Sequence, residues 1–346
     1  MTIPLPPTMR AALCDGPGAP LRIARVPVPR PGPGQYLVRV EACGICHSDL
    51  HLQRGDESLP ASAYPLILGH EGIGRIVEGE GPLPIGARVG LPWLYDTCLC
   101  CDPCLTGHEN FCKDQRARGI GTNGAFAEFA LIETRFAIGL PDEIDTITGG
   151  PLLCAGLTAW TALAKCRVLP GKRLLVIGAG GLGQYAVDIG LARGLRVAVV
   201  DTDPEKRAMM LQRGAELAAD GTDPAPILAW GGADITLSFA PSPKVWPLIA
   251  ACANPLSDVV AIALVQEPVP LSMMWLINGG HRVFGSSVGT RADQRAFLEF
   301  ARTRSFGVGI ETVPLDEADT ALQRLAAGKV LGRLVIDMAL PAAAGA

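Results

Sequence analysis

The hydrophobic rhythm of the chain changes near residue 154. Before it, short apolar runs such as Tyr36-Leu37-Val38-Arg39-Val40 and Gly74-Arg75-Ile76-Val77 stand among many glycines and prolines. Runs of that length, bounded by turn residues, predict an irregular and mostly β region. From Leu174 the texture differs. Leu174-Leu175-Val176-Ile177 is an unbroken apolar run, as in a strand covered on both faces. Leu182 to Arg193 has a helical pattern, and Val197-Ala198-Val199-Val200 predicts the next strand. Residues 235–239 and 259–264 continue the series. Strand and helix in alternation predict a parallel sheet with helices on both faces. From about Thr290, two helical patterns precede the strand-like Leu334-Val335-Ile336.

Composition narrows this picture. A chain of 346 residues has room for two cores. The net charge of -4 gives no reason to expect nucleic acid or an anionic membrane as partner. No apolar run approaches the roughly 18 residues that span a bilayer. The opening Met1-Thr2-Ile3-Pro4-Leu5-Pro6-Pro7 lacks the basic and apolar regions of a secretory signal. A soluble, cytoplasmic protein is expected, with a frayed tail at residues 340–346. Its 11 cysteines then point to reduced thiols and metal, not disulfides.

Six of those cysteines and one histidine form two sets. Cys98, Cys101, Cys104 and Cys112 are separated by two, two and seven residues. Four thiolates at that spacing predict a closed, tetrahedral structural zinc site. Cys46, His70 and Cys154 are dispersed. Two sulfurs and one imidazole leave a fourth position open, as catalytic zinc requires. There zinc would make an alcohol easier to deprotonate. Ser48 stands beside the ligand Cys46, and His51 is close enough in sequence to carry the proton to solvent, with a coenzyme ribose between them. Asp49 is expected to orient His70.

Gly178-Ala179-Gly180-Gly181-Leu182-Gly183 follows a predicted strand and opens a predicted helix. In that context the G-x-G-x-x-G pattern predicts a dinucleotide-binding loop. Gly178 permits the turn, Gly180 the approach of the pyrophosphate, and Gly183 close helix–strand packing. The free N–H groups of the helix start, including those of Gly181 and Leu182, would face the phosphates. Asp201, 18 residues after Gly183, would bind ribose hydroxyls and repel a 2′-phosphate, favouring NAD over NADP. Lys206 is a second candidate at the ribose.

At these residues the chain resembles the zinc-dependent alcohol dehydrogenases of the medium-chain dehydrogenase/reductase superfamily. Cys46-His47-Ser48-Asp49-Leu50-His51 is similar to the family's first catalytic-zinc segment, and Gly69-His70-Glu71-Gly72-Ile73-Gly74 to its G-H-E-x-x-G signature. Residues 98–112 resemble its structural-zinc lobe, and Pro151 to Thr158 the segment with the third catalytic ligand. The resemblance implies an α/β protein with a GroES-like, mostly β catalytic domain over 1–154 and 290–346. The zinc lobe would occupy about 93–115 of it. A Rossmann domain with a doubly wound parallel sheet would fill 155–289. It also places Glu71 among the catalytic residues, His47 and Arg333 at the pyrophosphate, and Thr158 at the nicotinamide. Trp93 would wall the substrate pocket. Gln53 and Glu57 stand where yeast-type members carry tryptophans, which with the small Ser48 suggests a roomier pocket for secondary or aromatic alcohols. The chain departs from the family pattern at Glu80, in a loop that looks shortened between Gly79 and Pro84, and at Ala87, where the family's Asp is missing. The 41 residues between Cys112 and Cys154 match the spacing of tetrameric members, so a homotetramer is implied.

The reading is a dehydrogenase with two zinc ions per chain that moves hydride between NAD and a small alcohol, giving aldehyde or ketone. A polyol or secondary-alcohol dehydrogenase is the alternative, although polyol members often replace the third cysteine ligand by Glu. A non-catalytic NAD-binding redox sensor is the remote one.

Overall fold

The computed structural model describes residues 5–56 and 59–341. Most of the opening segment and of the tail, and Glu57, lie outside the described residues. The chain forms two compact units. One comprises Met1–Cys154, Thr290–Arg304 and Gly309–Ala346, the other Ala155–Gly289 and Ser305–Val308.

The first unit is built on the long strand Gln35–Ile45. It pairs antiparallel with Glu71–Gly79, Phe129–Glu133 and the chain's last strand, Arg333–Asp337. Leu334 lies opposite Ile45 and Asp337 opposite Ala42, so the C-terminal segment is a member of this seven-stranded sheet. A smaller sheet joins Thr8–Cys14 to Leu21–Pro27 and Leu66–Ile67. Tyr36, Leu37, Val38, Leu68, Ile76, Phe126 and Leu334 are buried in one cluster with residues of both sheets. The residues of the shortened turn have a local account. Gly79 leaves its strand at φ 117°, and the buried Tyr36 hydroxyl closes the turn, donating to the Leu83 carbonyl at 3.1 Å and accepting its N–H at 2.8 Å. Glu80 is exposed on the outside.

The second unit carries six parallel strands. In spatial order they are Leu217–Ala219, Arg196–Val200, Arg173–Ile177, Ala233–Ser238, Ala253–Ala261 and Arg282–Gly285. The first strand in sequence sits in the middle, and the order reverses beside it, as in doubly wound sheets. Leu174 to Ile177 are buried throughout, which is why the run is apolar without alternation. The fifth strand ends earlier than its apolar run suggests. The N–H groups of Ile262 and Ala263 both turn to the Ser238 carbonyl at 3.2 Å, and Leu264 is exposed. Ser305–Val308 joins this unit because the Gly307 N–H donates to Asp188 at 2.9 Å and Phe306 packs edge-on to Tyr185. Among the described residues no single helix is long and apolar enough to cross a membrane.

Candidate active site

The helix His47–Arg54 starts directly after the long strand, with Cys46 at its N-cap. Asp49, three residues on, reaches back to accept the Cys46 N–H on Oδ2 at 2.9 Å. Its Oδ1 takes the Gly69 N–H at 3.0 Å and meets His70 Nδ1 at 3.2 Å. One buried carboxylate thus joins the segments that carry Cys46 and His70. With Nδ1 engaged, His70 presents Nε2 to the interior. That atom is buried and has no partner among the described residues.

Cys46, His70, Glu71 and Cys154 each offer a donor atom, and the four atoms lie within 4.8 Å of one another, all buried. A buried imidazole nitrogen without a partner is costly. Two sulfurs and a nitrogen oriented by a carboxylate are zinc donors, so the set fits that ion. Hydrogen bonding with Cys154 holds the Cys46 thiol well below its ordinary range although burial opposes it, while the Cys154 thiol is pushed well up against it.

Glu71 shares this interior with Arg333, whose Nη2 donates to Oε1. Burial pushes the Glu71 carboxyl up to about 7, against the pull of the guanidinium. Arg333 is itself buried. Its expected contact with a pyrophosphate is therefore not laid out here: the guanidinium is turned to Glu71 because the buried carboxylate needs a counter-charge.

Ser48 is half-buried, its Oγ 3.9 Å from the Cys46 sulfur. His51 stands one turn further, partly exposed, with Nδ1 2.7 Å from Asp56 Oδ2. His47 is exposed at the start of the same helix. Thr158 is buried in the helix Ala155–Ala164, which belongs to the other unit. The Trp93 ring lies edge-on to the His70 ring, centroids 4.9 Å apart. Gln53 departs from expectation. It is buried and donates to Asp319 at 2.6 Å while accepting from Gln323 at 3.3 Å, so its amide is used up against the helix Ala318–Ala326. Glu57, the other residue of that argument, lies outside the described residues.

The second set gathers as closely. One sulfur from each of Cys98, Cys101, Cys104 and Cys112 falls within the same 4.8 Å limit. Leu99 takes a left-handed backbone, φ 57°, which costs an ordinary residue about 1–2 kcal/mol. The Cys101 N–H then reaches the Cys98 sulfur at 3.3 Å. Hydrogen bonds from the Cys100 and Cys101 backbone bring the Cys98 thiol down to about 6. Four sulfurs with one already inclined to ionise suit a closed zinc site.

In the second unit, Gly178 turns at φ 93°, and a Cβ on Gly183 would run into the Gly178 carbonyl. Above Gly180 nothing lies within 4 Å of where a Cβ would be. That open space sits at the start of the helix Gly181–Ala192, which has no side-chain cap, so its first N–H groups suit an anion such as a pyrophosphate. Asp201 follows the second strand. Its two oxygens accept the Ala179 N–H at 2.7 Å and the Asp203 N–H at 2.9 Å. Lys206 lies 3.9 Å from Asp203. Asp56 and Arg207 escaped the sequence reading. Arg207 donates to the carbonyls of Asp201 and Thr202 at 2.8 and 3.0 Å, and no pattern in the chain marks it.

Residues 32–142 match the family model of the alcohol dehydrogenase GroES-like domain, and residues 181–303 that of the zinc-binding dehydrogenases. An alcohol dehydrogenase of Geobacillus stearothermophilus is 34% identical over 337 residues, covering 95% of this chain and 99% of that protein. The structure of a cinnamyl alcohol dehydrogenase from Sorghum bicolor superposes with a TM-score of 0.87 at 30% identity, over 95% of this chain and 97% of the other. An acetophenone reductase from Geotrichum candidum, solved in complex with NAD, gives 0.85 at 26% identity, over 96% and 98%. Matched nearly end to end in sequence and fold, and with two sets of zinc donors in place, the chain belongs to the zinc-type alcohol dehydrogenases of the medium-chain dehydrogenase/reductase superfamily, oxidoreductases that interconvert alcohols and carbonyl compounds.

Proposed function

We propose that this chain is an NAD-linked alcohol dehydrogenase that depends on zinc and holds two zinc ions. The observation that carries the reading is the buried, unpartnered Nε2 of His70 among the sulfurs of Cys46 and Cys154. Those three residues would hold the ion at which the alcohol binds, and Cys98, Cys101, Cys104 and Cys112 a second, structural ion. Zinc supplies Lewis acidity that makes an alcohol oxygen easier to deprotonate. NAD supplies the hydride acceptor.

The chain's own residues do the rest. Ser48 takes the alcohol proton, and His51 delivers it to solvent. Asp49 fixes the His70 ring through Nδ1. Arg333 and Glu71 balance charge beside the thiolates. The amides at Gly178 to Gly183, Gly181 and Leu182 included, receive the pyrophosphate. Asp201, anchored by two backbone N–H groups, keeps lone pairs for ribose hydroxyls and repels a 2′-phosphate. Trp93, set against His70, walls a pocket for secondary and aromatic alcohols or their ketones. The names of the Sorghum and Geotrichum proteins, one for cinnamyl alcohol and one for acetophenone, support that choice. A homotetramer agrees with the unpaired outer edge of strand Arg282–Gly285 and with exposed Met273, Met274 and Ile277 nearby in sequence. Eleven free cysteines suit a reducing cytoplasm.

The test combines metal analysis with absorbance assays over ethanol, longer primary, secondary and benzylic alcohols, using NAD and NADP in turn. Two zinc ions per chain, NAD preference and a loss of that preference in Asp201→Ala are expected. Full activity with one zinc or none, or equal efficiency with both coenzymes, would overturn the reading.

A further inference from the structure

The helix that carries Ser48 and His51 ends in a reversal that folds back on His51. Gly55 is left-handed, φ 80°, and its N–H returns to the carbonyls of His51 and Leu52. The Asp56 N–H follows, bonding the His51 carbonyl at 3.0 Å. A helix C-terminus of this kind needs glycine at the left-handed position. Here the need is doubled, since a Cβ on Gly55 would approach Pro17 Cβ to 2.6 Å. The reversal carries the Asp56 side chain over the last turn, where Oδ2 meets His51 Nδ1 at 2.7 Å. Residue 56 therefore holds residue 51 twice, by backbone and by side chain. Side-chain exposures of 34% and 43% make the pair nearly worthless for stability. What it does decide is which ring nitrogen is free. An imidazole that donates Nδ1–H to a carboxylate keeps Nε2 as its acceptor.

We propose that Asp56 is a positioning residue for the proton exit: it holds His51 in the Nδ1–H form, so that Nε2 receives the alcohol proton, and it stabilises the imidazolium that results. The inference rests on the assignment of His51 to that exit. The neutral ring takes one proton at Nε2 and becomes a cation, and Asp56 stays ionised. Nε2 then releases the proton to water or buffer, and no electrons move. The two nearby buried or part-buried carboxylates are engaged elsewhere. Asp49 faces Cys46 and His70. Asp319, on the helix packed against this one, takes the Gln53 amide and the Leu21 N–H. Arg54, in the same turn as His51, is exposed.

The zinc-loaded enzyme is compared as wild type, Asp56→Ala, Asp56→Glu, His51→Gln and the Asp56→Ala/His51→Gln double variant. Removing general acid–base help costs about 10²–10⁴-fold, so His51→Gln should lose on the order of 10²-fold in kcat at low pH, and Asp56→Ala about 10-fold. The loss in Asp56→Ala should shrink as pH rises, shrink again with added imidazole buffer, and leave KM little changed. Asp56→Glu should recover most of it, and the double variant should be no slower than His51→Gln. In ¹⁵N-histidine spectra of the wild type, His51 should report the Nδ1–H form, and Asp56→Ala should mix the tautomers. Unchanged rate, pH profile and tautomer in Asp56→Ala beside a slow His51→Gln would overturn the Asp56 role alone. A fully active His51→Gln would overturn the exit itself, and Asp56 with it.

Discussion

The four sulfurs of the lobe come from residues 98–112, whereas the donors of the other centre come from residues 46, 70 and 154. The lobe is assembled by local turns: a left-handed Leu99, a backbone N–H on the Cys98 sulfur, and the short helix Asp102–Leu105. It is anchored from outside by Arg291, whose N–H donates to Glu109 of the lobe at 2.9 Å and whose guanidinium donates to it at 2.6 and 2.8 Å. The dispersed centre has no local scaffold. Cys46 follows the end of one strand, the start of another follows His70, and a turn delivers Cys154. Burial is the other contrast, complete at the dispersed set and partial at the lobe. Four sulfurs close around a metal and leave it nothing to do but hold the chain, while two sulfurs and a nitrogen leave a place for substrate. On the proposed reading, one protein uses one donor set for stability and the other for chemistry, separated by donor type and by depth.

That comparison can be broken most directly at the ligands. Cys46→Ser should abolish alcohol turnover while the melting temperature moves less than in a lobe variant, because the strands around Cys46 are held by their own backbone pairing. Cys101→Ser should do the reverse, lowering the melting temperature and releasing zinc from the lobe, since structural metal binding is folding free energy. Calorimetry and metal analysis on both variants would check this, and a Cys46 variant that unfolds while a Cys101 variant stays stable would invert the assignment. A smaller effect is expected at the carboxylate that unites the dispersed set. Asp49→Asn should weaken metal affinity or activity by about 10–100-fold, measured by competition with a chromophoric chelator. The lobe has no counterpart to this residue, so an equal loss of lobe zinc would count against two independent centres.

The smallest effect lies outside both centres and gives the control. Asp258 in the coenzyme-binding unit accepts from Arg167 and Arg282, which together with backbone hydrogen bonding hold its carboxyl at about 2 although burial opposes them. A carboxyl depressed in the folded state adds stability above its unfolded value of about 3.9 and loses it as pH falls through about 2. Asp258→Asn should lower the melting temperature at neutral pH and make no difference near pH 2. Zinc release from both centres, which follows protonation of thiolates, should be complete before that window is reached on acidification. Melting curves against pH, read with metal content, would show whether the order holds.

Much of the site was legible because its chemistry follows short spacings. The lobe could be read from C-x-x-C-x-x-C alone, and the coenzyme loop from glycines between an apolar run and a helical pattern. Ser48 and Asp49 were noticed for standing next to Cys46. Gln53 misled for another reason: a position where yeast-type members carry a tryptophan does not say which face of the helix is covered in this chain, and the face with Gln53 packs on Ala318–Ala326. Asp56 was missed because its meaning depends on a left-handed glycine and on the ring one turn before it.

The amino-acid sequence by itself determined the donor types, the glycine positions that a tight turn requires, and the alternation of apolar runs that makes a parallel sheet. These are local consequences of side-chain chemistry and backbone freedom. Only the tertiary structure decided what distant residues do to one another. It paired Arg333 with Glu71 across 262 positions of sequence, turned Asp49 to both Cys46 and His70, and left one imidazole nitrogen buried without a partner. No periodicity encodes such contacts, because they arise where separately folded strands meet and burial makes every unpaired polar atom costly.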